Sequence, residues 1–137
     1  MASDAASALT TLRTAAERGD LDDLFERLGV RLLGAFGSAT RELGDADPAD
    51  LDIAVQFEGP VMLLELIDAL VEITRFDKID VAVVDGNHPV LDAEALCGEP
   101  LYESVPGGYA TAQMAALGHK RDTEWLRILD LQRMAAG

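Results

Sequence analysis

The chain has little of several residue types on which particular classes of protein depend. Cys97 is its only cysteine, so an internal disulfide is impossible, which agrees with a cytoplasmic protein. It has two histidines and no Cys-x-x-Cys pair from which to build a zinc site. Its 11 basic residues are scattered and are outnumbered by 25 acidic ones, giving a net charge of −14 at pH 7. So acidic a surface repels nucleic acid and anionic membranes.

Long apolar runs are also missing. The longest, Val61 to Ile73, is interrupted by Glu65, Asp68 and Glu72, so it cannot span a bilayer. The first residues, MASDAASALTTLR, lack a basic stretch followed by an apolar one, and no secretory signal is expected. With 137 residues, of which 49% are hydrophobic, we expect one cytoplasmic domain over residues 1–137 with a real core.

The most informative stretch is LLGAFGSATRELGDADPADLDIAV, residues 32–55. An apolar strand ends at Gly37-Ser38, and a second apolar strand carries Asp50 and Asp52. Because alternate strand residues share a face, these two carboxylates point the same way, roughly 6.6 Å apart along the backbone. They repel each other unless a cation held by oxygen ligands lies between them, so the pattern indicates a divalent metal site. Taken alone, Asp-x-Asp is also typical of a solvated strand end.

Two further features of this stretch favour phosphate binding. Gly37 allows close backbone approach, and Ser38 can cap a following helix whose free N–H groups bind phosphate. Arg41 could add a forked donor to phosphate oxygens. An ordinary helix cap would use the same Gly-Ser pair, so the prediction depends on the order of these features along the chain.

A third carboxylate lies in the later run IDVAVV. Asp80 interrupts a β-branched strand, where a buried and unpartnered carboxylate costs several kcal/mol. A metal ion beside Asp80 would remove that penalty. Alternatively, an aspartate that caps a turn at the end of the strand would need no metal ion.

Gly37-Ser38, Arg41, Asp50-Leu51-Asp52 and Asp80 together resemble the nucleotidyltransferase domain of the DNA polymerase β superfamily. The length and the ending DTEWLRILDLQRMA are similar to the MntA-type adenylyltransferase antitoxins that partner HEPN ribonuclease toxins. The resemblance implies an α/β (α+β) fold with a small mixed sheet flanked by helices. It also implies two Mg²⁺ ions held by the three aspartates, ATP as substrate with its phosphates at Gly37, Ser38 and Arg41, and a toxin tyrosine as acceptor. Two alternatives remain: a small-molecule, antibiotic-type nucleotidyltransferase, and a non-catalytic antitoxin that only binds its partner.

Around this motif, periodicity and turn residues predict the remaining elements. Helices are expected over residues 1–28, followed by strands over 30–36, around Asp52 and over 79–84. Gly98 to Gly108 are expected to be irregular. A helical segment, 109–137, is expected in two pieces broken at Gly118. Its apolar stripe, Trp125, Ile128, Leu129 and Gln132, must cover either this protein's own sheet or a partner, in a hetero-complex or a homo-oligomer.

Overall fold

The computed structural model describes residues 4–37 and 50–136. Four strands and five helices lie in this part of the chain, in the order α1 (Ala5–Glu17), α2 (Asp22–Leu28), β1 (Val30–Phe36), β2 (Leu51–Phe57), α3 (Leu63–Thr74), β3 (Ile79–Val83), α4 (Pro89–Leu96), β4 (Glu99–Glu103) and α5 (Gly108–Ala136). None of the helices is both long and apolar enough to cross a membrane.

The strands form one mixed sheet in the order β3-β2-β1-β4. β1 is antiparallel to both β2 and β4, whereas β2 and β3 are parallel. A parallel pair needs a crossover connection, and α3 provides it. As a result, the end of β1 and the starts of β2 and β3 lie together at one end of the sheet.

Both faces of the sheet are covered, which explains why the central strands are almost continuously apolar. Leu33 on β1 and Ile53 on β2 point to the face that packs against Leu12 of α1, Phe25 of α2 and Leu66 of α3. The opposite face packs against the two later helices through Leu32, Ala54, Val84, Ala95, Leu96 and Tyr109.

The fourth strand corrects the prediction that the chain is irregular from Gly98 to Gly108. Glu99–Glu103 pairs with β1 despite containing Pro100, which an edge strand tolerates because one side of it needs no partner. Gly98 permits this pairing, because a Cβ at that position would overlap the carbonyl oxygen of Ala35. The contact joins residues far apart in the chain, so local periodicity does not reveal it.

The C-terminal helix corrects a second prediction. α5 runs unbroken for 29 residues, and Gly118 lies inside it. One glycine weakens a helix by only about 1 kcal/mol relative to alanine, and its neighbours Ala115, Ala116 and Leu117 are strong helix formers. Only the start of α5 covers the sheet, as the buried Tyr109 shows. The rest of the helix extends beyond the sheet. Trp125 is 60% exposed and therefore does not pack on the sheet.

Candidate active site

The sequence-predicted carboxylates lie where β1 ends and β2 and β3 begin. Phe36, the last residue of β1, pairs with Asp52, and Asp52 pairs in turn with Asp80. Aligned residues of neighbouring strands project to the same face of a sheet. Ala54 and Ala82, two positions further along, contact the core on the α4 and α5 side, so Asp52 and Asp80 belong to that side.

Burial differs among the three aspartates, and it corrects part of the sequence analysis. Asp52 is half-buried, whereas Asp50 and Asp80 are exposed. Asp50 immediately precedes β2, which begins at Leu51. The N–H of Leu51 donates a hydrogen bond of 2.9 Å to the carbonyl of Lys78. Asp80 was expected to be costly inside an apolar strand, but β3 is an edge strand and leaves this side chain in solvent. The desolvation penalty therefore falls on Asp52.

Electrostatics couple the three carboxylates. Partial burial raises the pKa of Asp52 above its ordinary 3.8, and the negative charges of Asp80 and then Asp50 raise it further. Both effects disfavour an ionised Asp52, since it loses hydration and faces like charges. A divalent cation would reverse the second effect. Carboxylate oxygens are also the ligands that Mg²⁺ takes in proteins, so the donor set fits this ion.

The described residues do not form a closed metal site as they stand. Among residues 4–37 and 50–136, no three His, Cys, Asp or Glu side chains are arranged to hold an ion. Two observations show that the three carboxylates influence one another: the strand register pairs Asp52 with Asp80, and the charges of Asp80 and Asp50 raise the pKa of Asp52.

Gly37 is packed directly on the central carboxylate. Its φ of +75° lies in the left-handed region that favours glycine. A Cβ at this position would overlap Oδ2 of Asp52. Gly37 thus meets two requirements at once: the turn at the end of β1 and room for the Asp52 carboxylate. Ser38 and Arg41, the other predicted phosphate contacts, lie outside the described residues.

A cavity of about 350 Å³ opens beside Gly37, between the end of β1 and the two later helices. Its lining includes Phe36 and Gly37 from β1, Cys97 at the end of α4, and Leu117 and Lys120 from α5. Lys120 is the basic side chain among its lining residues, with its Nζ 3.9 Å from Oε1 of Glu124. Lys120 was not among the site residues predicted from the sequence, because only the packing of α5 across the sheet places it near the Gly37 turn.

Comparisons with known proteins establish the fold. No protein-family model matches the chain, and no curated protein sequence matches it. The tri-AMPylated Shewanella oneidensis HEPN toxin in complex with MNT antitoxin includes a chain that matches with a TM-score of 0.60 and 14% identity, over 90% of this chain and 98% of that one. An MntA–HpeT toxin–antitoxin mutant matches with a TM-score of 0.61 and 16% identity, over 86% and 97%.

A third solved structure is a toxin–antitoxin complex with AMP-PNP. It matches with a TM-score of 0.61 and 15% identity, over 85% of this chain and 97% of that one. The chain therefore shares the mixed α/β fold of these solved structures, and the small mixed sheet flanked by helices that the sequence resemblance implied is confirmed.

Proposed function

We propose that this protein is a metal-dependent adenylyltransferase that moves AMP from ATP to a hydroxyl group. The observation that carries the proposal is the register of β2 and β3, which aligns Asp52 with Asp80 beside Gly37 in a chain with this fold. Asp50, just before β2, adds the third carboxylate and contributes to the raised pKa of Asp52. A similar fold in complex with AMP-PNP supports a nucleoside triphosphate as the substrate.

The acceptor in this proposal is a tyrosine of a HEPN ribonuclease toxin, and the modification makes the chain that toxin's antitoxin. Support comes from the neighbouring complex, which contains a tri-AMPylated HEPN toxin and an MNT antitoxin. A phenolic hydroxyl suits the reaction, because its ordinary pKa near 10 makes it easier to deprotonate than an aliphatic alcohol.

The chemistry is an in-line displacement. The acceptor oxygen forms a bond to the α-phosphorus, the bond from that phosphorus to the bridging oxygen breaks, pyrophosphate leaves, and the hydroxyl proton passes to water. Two Mg²⁺ ions held by Asp50, Asp52 and Asp80 would supply positive charge to the triphosphate and to the attacking oxygen. The protein contributes positioning and electrostatics, and no covalent intermediate is needed.

Each predicted residue has a defined task. Asp50 and Asp52 would hold both ions, and Asp80 would complete the site on the acceptor side. Gly37 gives the phosphates close access to the backbone, while Ser38 and Arg41 bind phosphate oxygens. Mg²⁺ held by these carboxylates would offset the repulsion between the triphosphate and a protein with a net charge of −14.

The test is transfer of label from α-³²P-ATP with Mg²⁺, in the presence and absence of the protein that the neighbouring gene encodes. We expect label on a toxin tyrosine, and we expect Asp50→Asn and Asp52→Asn each to abolish it without unfolding the protein. Label on a small-molecule hydroxyl would instead identify an antibiotic-type enzyme. Toxin neutralised without any label would identify a binding antitoxin, and transfer by the double mutant at the wild-type rate would exclude these carboxylates.

A further inference from the structure

The second half of α5 has no described counterpart to pack on. Tyr109 is buried, and Ala112 and Ala116 pack against the sheet, so the start of the helix is anchored. Beyond them the helix continues to Ala136, for a total length of about 43 Å. Apolar side chains remain in solvent along it: Ile128 is 46% exposed, Leu131 58% and Met114 73%.

These exposed residues form a stripe with heptad spacing. Met114, Leu117, Ile128 and Leu131 occupy alternating three- and four-residue steps, the arrangement of the seam of a helix pair. Two charged residues, Arg121 and Glu124, complete the stripe at its centre, and both are exposed. The anchored residues Tyr109, Ala112 and Ala116 point to a different side of the helix from the stripe. Leu117 is 40% exposed and also lines the cavity beside Gly37, whereas Ile128 and Leu131 lie beyond that cavity.

The stripe is complementary to itself in one orientation. Two antiparallel copies centred between Asp122 and Thr123 place Met114 opposite the second copy's Leu131, and Leu117 opposite its Ile128. The same alignment places Arg121 opposite the second copy's Glu124, twice, because the pair has twofold symmetry. A parallel pair would instead place arginine against arginine and glutamate against glutamate, which is unfavourable.

Charge also favours this helix as the contact between two copies. The whole chain carries −14, so most of its surface repels a second copy. Residues 117–136 carry four basic side chains and three acidic ones, a net charge of +1. Within the described part of the chain, Arg121 forms no ion pair, and Glu124 has only the exposed contact with Lys120 at 3.9 Å.

We propose that α5 binds α5 of a second copy of this chain, antiparallel, through this stripe. The pairing buries the exposed leucines, isoleucine and methionine and sets the register through the two central Arg121–Glu124 pairs. None of the three aspartates takes part in this contact, although Leu117 of the stripe also lines the cavity beside Gly37.

Sedimentation velocity over a concentration series of the full chain tests the proposal. The wild type should sediment as a dimer, twice the 14.6 kDa monomer, at micromolar concentrations. Arg121→Glu alone, and Glu124→Arg alone, should each raise the dimer Kd by about tenfold or more, because each creates two like-charge contacts. The combined swap should restore the wild-type Kd.

Arg133→Glu is the matched control, because it makes the same charge change on another side of α5 and should leave the Kd unchanged. Circular dichroism checks that each variant keeps its helix. A monomeric wild type would overturn the proposal, as would a charge swap that does not restore the dimer. If the wild type is monomeric and Arg121→Glu or Glu124→Arg abolishes binding to a toxin, the stripe is a toxin-binding surface and the proposal is overturned.

Discussion

Replacing Gly37 by alanine tests the geometry of the site independently of any assay of function. The new methyl group meets two obstacles: a φ of +75° that disfavours side chains, and Oδ2 of Asp52. The first costs roughly 1–2 kcal/mol. The second forces Asp52 into another rotamer, at roughly 0.5–1.5 kcal/mol. The sum is about 1.5–3.5 kcal/mol of unfolding free energy.

Gly59 provides a matched control for this substitution. Its φ is +92°, and an added Cβ would meet nothing within 4 Å. Gly59→Ala should therefore show only the backbone strain, about 1–2 kcal/mol, with no effect at the carboxylates. For a chain of this size, each kcal/mol corresponds to about 4 °C in Tm.

A double-mutant cycle isolates the contact between Gly37 and Asp52. Thermal unfolding of the wild type, Gly37→Ala, Asp52→Ala and the double mutant gives the coupling free energy directly. We expect Gly37→Ala to cost about 1 kcal/mol less in the Asp52→Ala background, where the carboxylate is absent. Calorimetry should also show weaker ATP–Mg²⁺ binding by Gly37→Ala and unchanged binding by Gly59→Ala.

Equal losses of stability in the two glycine variants would contradict this prediction, as would an equal cost of Gly37→Ala with and without Asp52. Either result would mean that the methyl group does not meet the carboxylate, and the packing of Gly37 on Asp52 would have to be abandoned.

Three other substitutions test the site. Asp52→Asn should raise Tm at pH 7, because folding raises the pKa of Asp52 above 3.8 and so disfavours its ionised form. In a calorimetric pH series the gain in Tm should vanish below pH 3.8, where the wild-type carboxyl is protonated in both the folded and the unfolded state. Equal Tm values for wild type and variant at every pH would contradict this prediction. Asp80→Asn should still bind ATP–Mg²⁺ in calorimetry yet lose transfer, and loss of binding would move Asp80 to the nucleotide side. Lys120→Ala should weaken ATP binding by about tenfold, as for a charge-assisted hydrogen bond, while Arg133→Ala should leave it unchanged; equal Kd values for both would remove Lys120 from the site.

Local patterns were sufficient for much of the scaffold. The run Val30–Phe36 was predicted as a strand with the bounds that it has, because its apolar residues end at a glycine turn. α1 begins where Asp4 accepts a hydrogen bond from the N–H of Ser7 at 2.7 Å, a capping signal legible in sequence. Asp52 was predicted on the second strand and lies on it, because alternation depends only on spacing, whereas Asp50, predicted on the same strand, lies just before it.

Other features depended on contacts between distant residues. Asp52 lies beside Asp80 because α3 returns the chain parallel to β2 in one register, and a shift by one residue would have put them on opposite faces. β4 forms because Gly98 lets its backbone approach Ala35, although its own sequence contains a proline.

The C-terminal helix shows the same division most clearly. Its sequence determined that residues 109 onward are helical, although the break expected at Gly118 is absent. Only the tertiary structure decided that Tyr109 covers the sheet while Ile128 and Leu131 remain in solvent, and that Lys120 lies beside the Gly37 turn. The physical reason is that burial depends on where the sheet ends beneath the helix, and the extent of the sheet is set by pairing between distant strands.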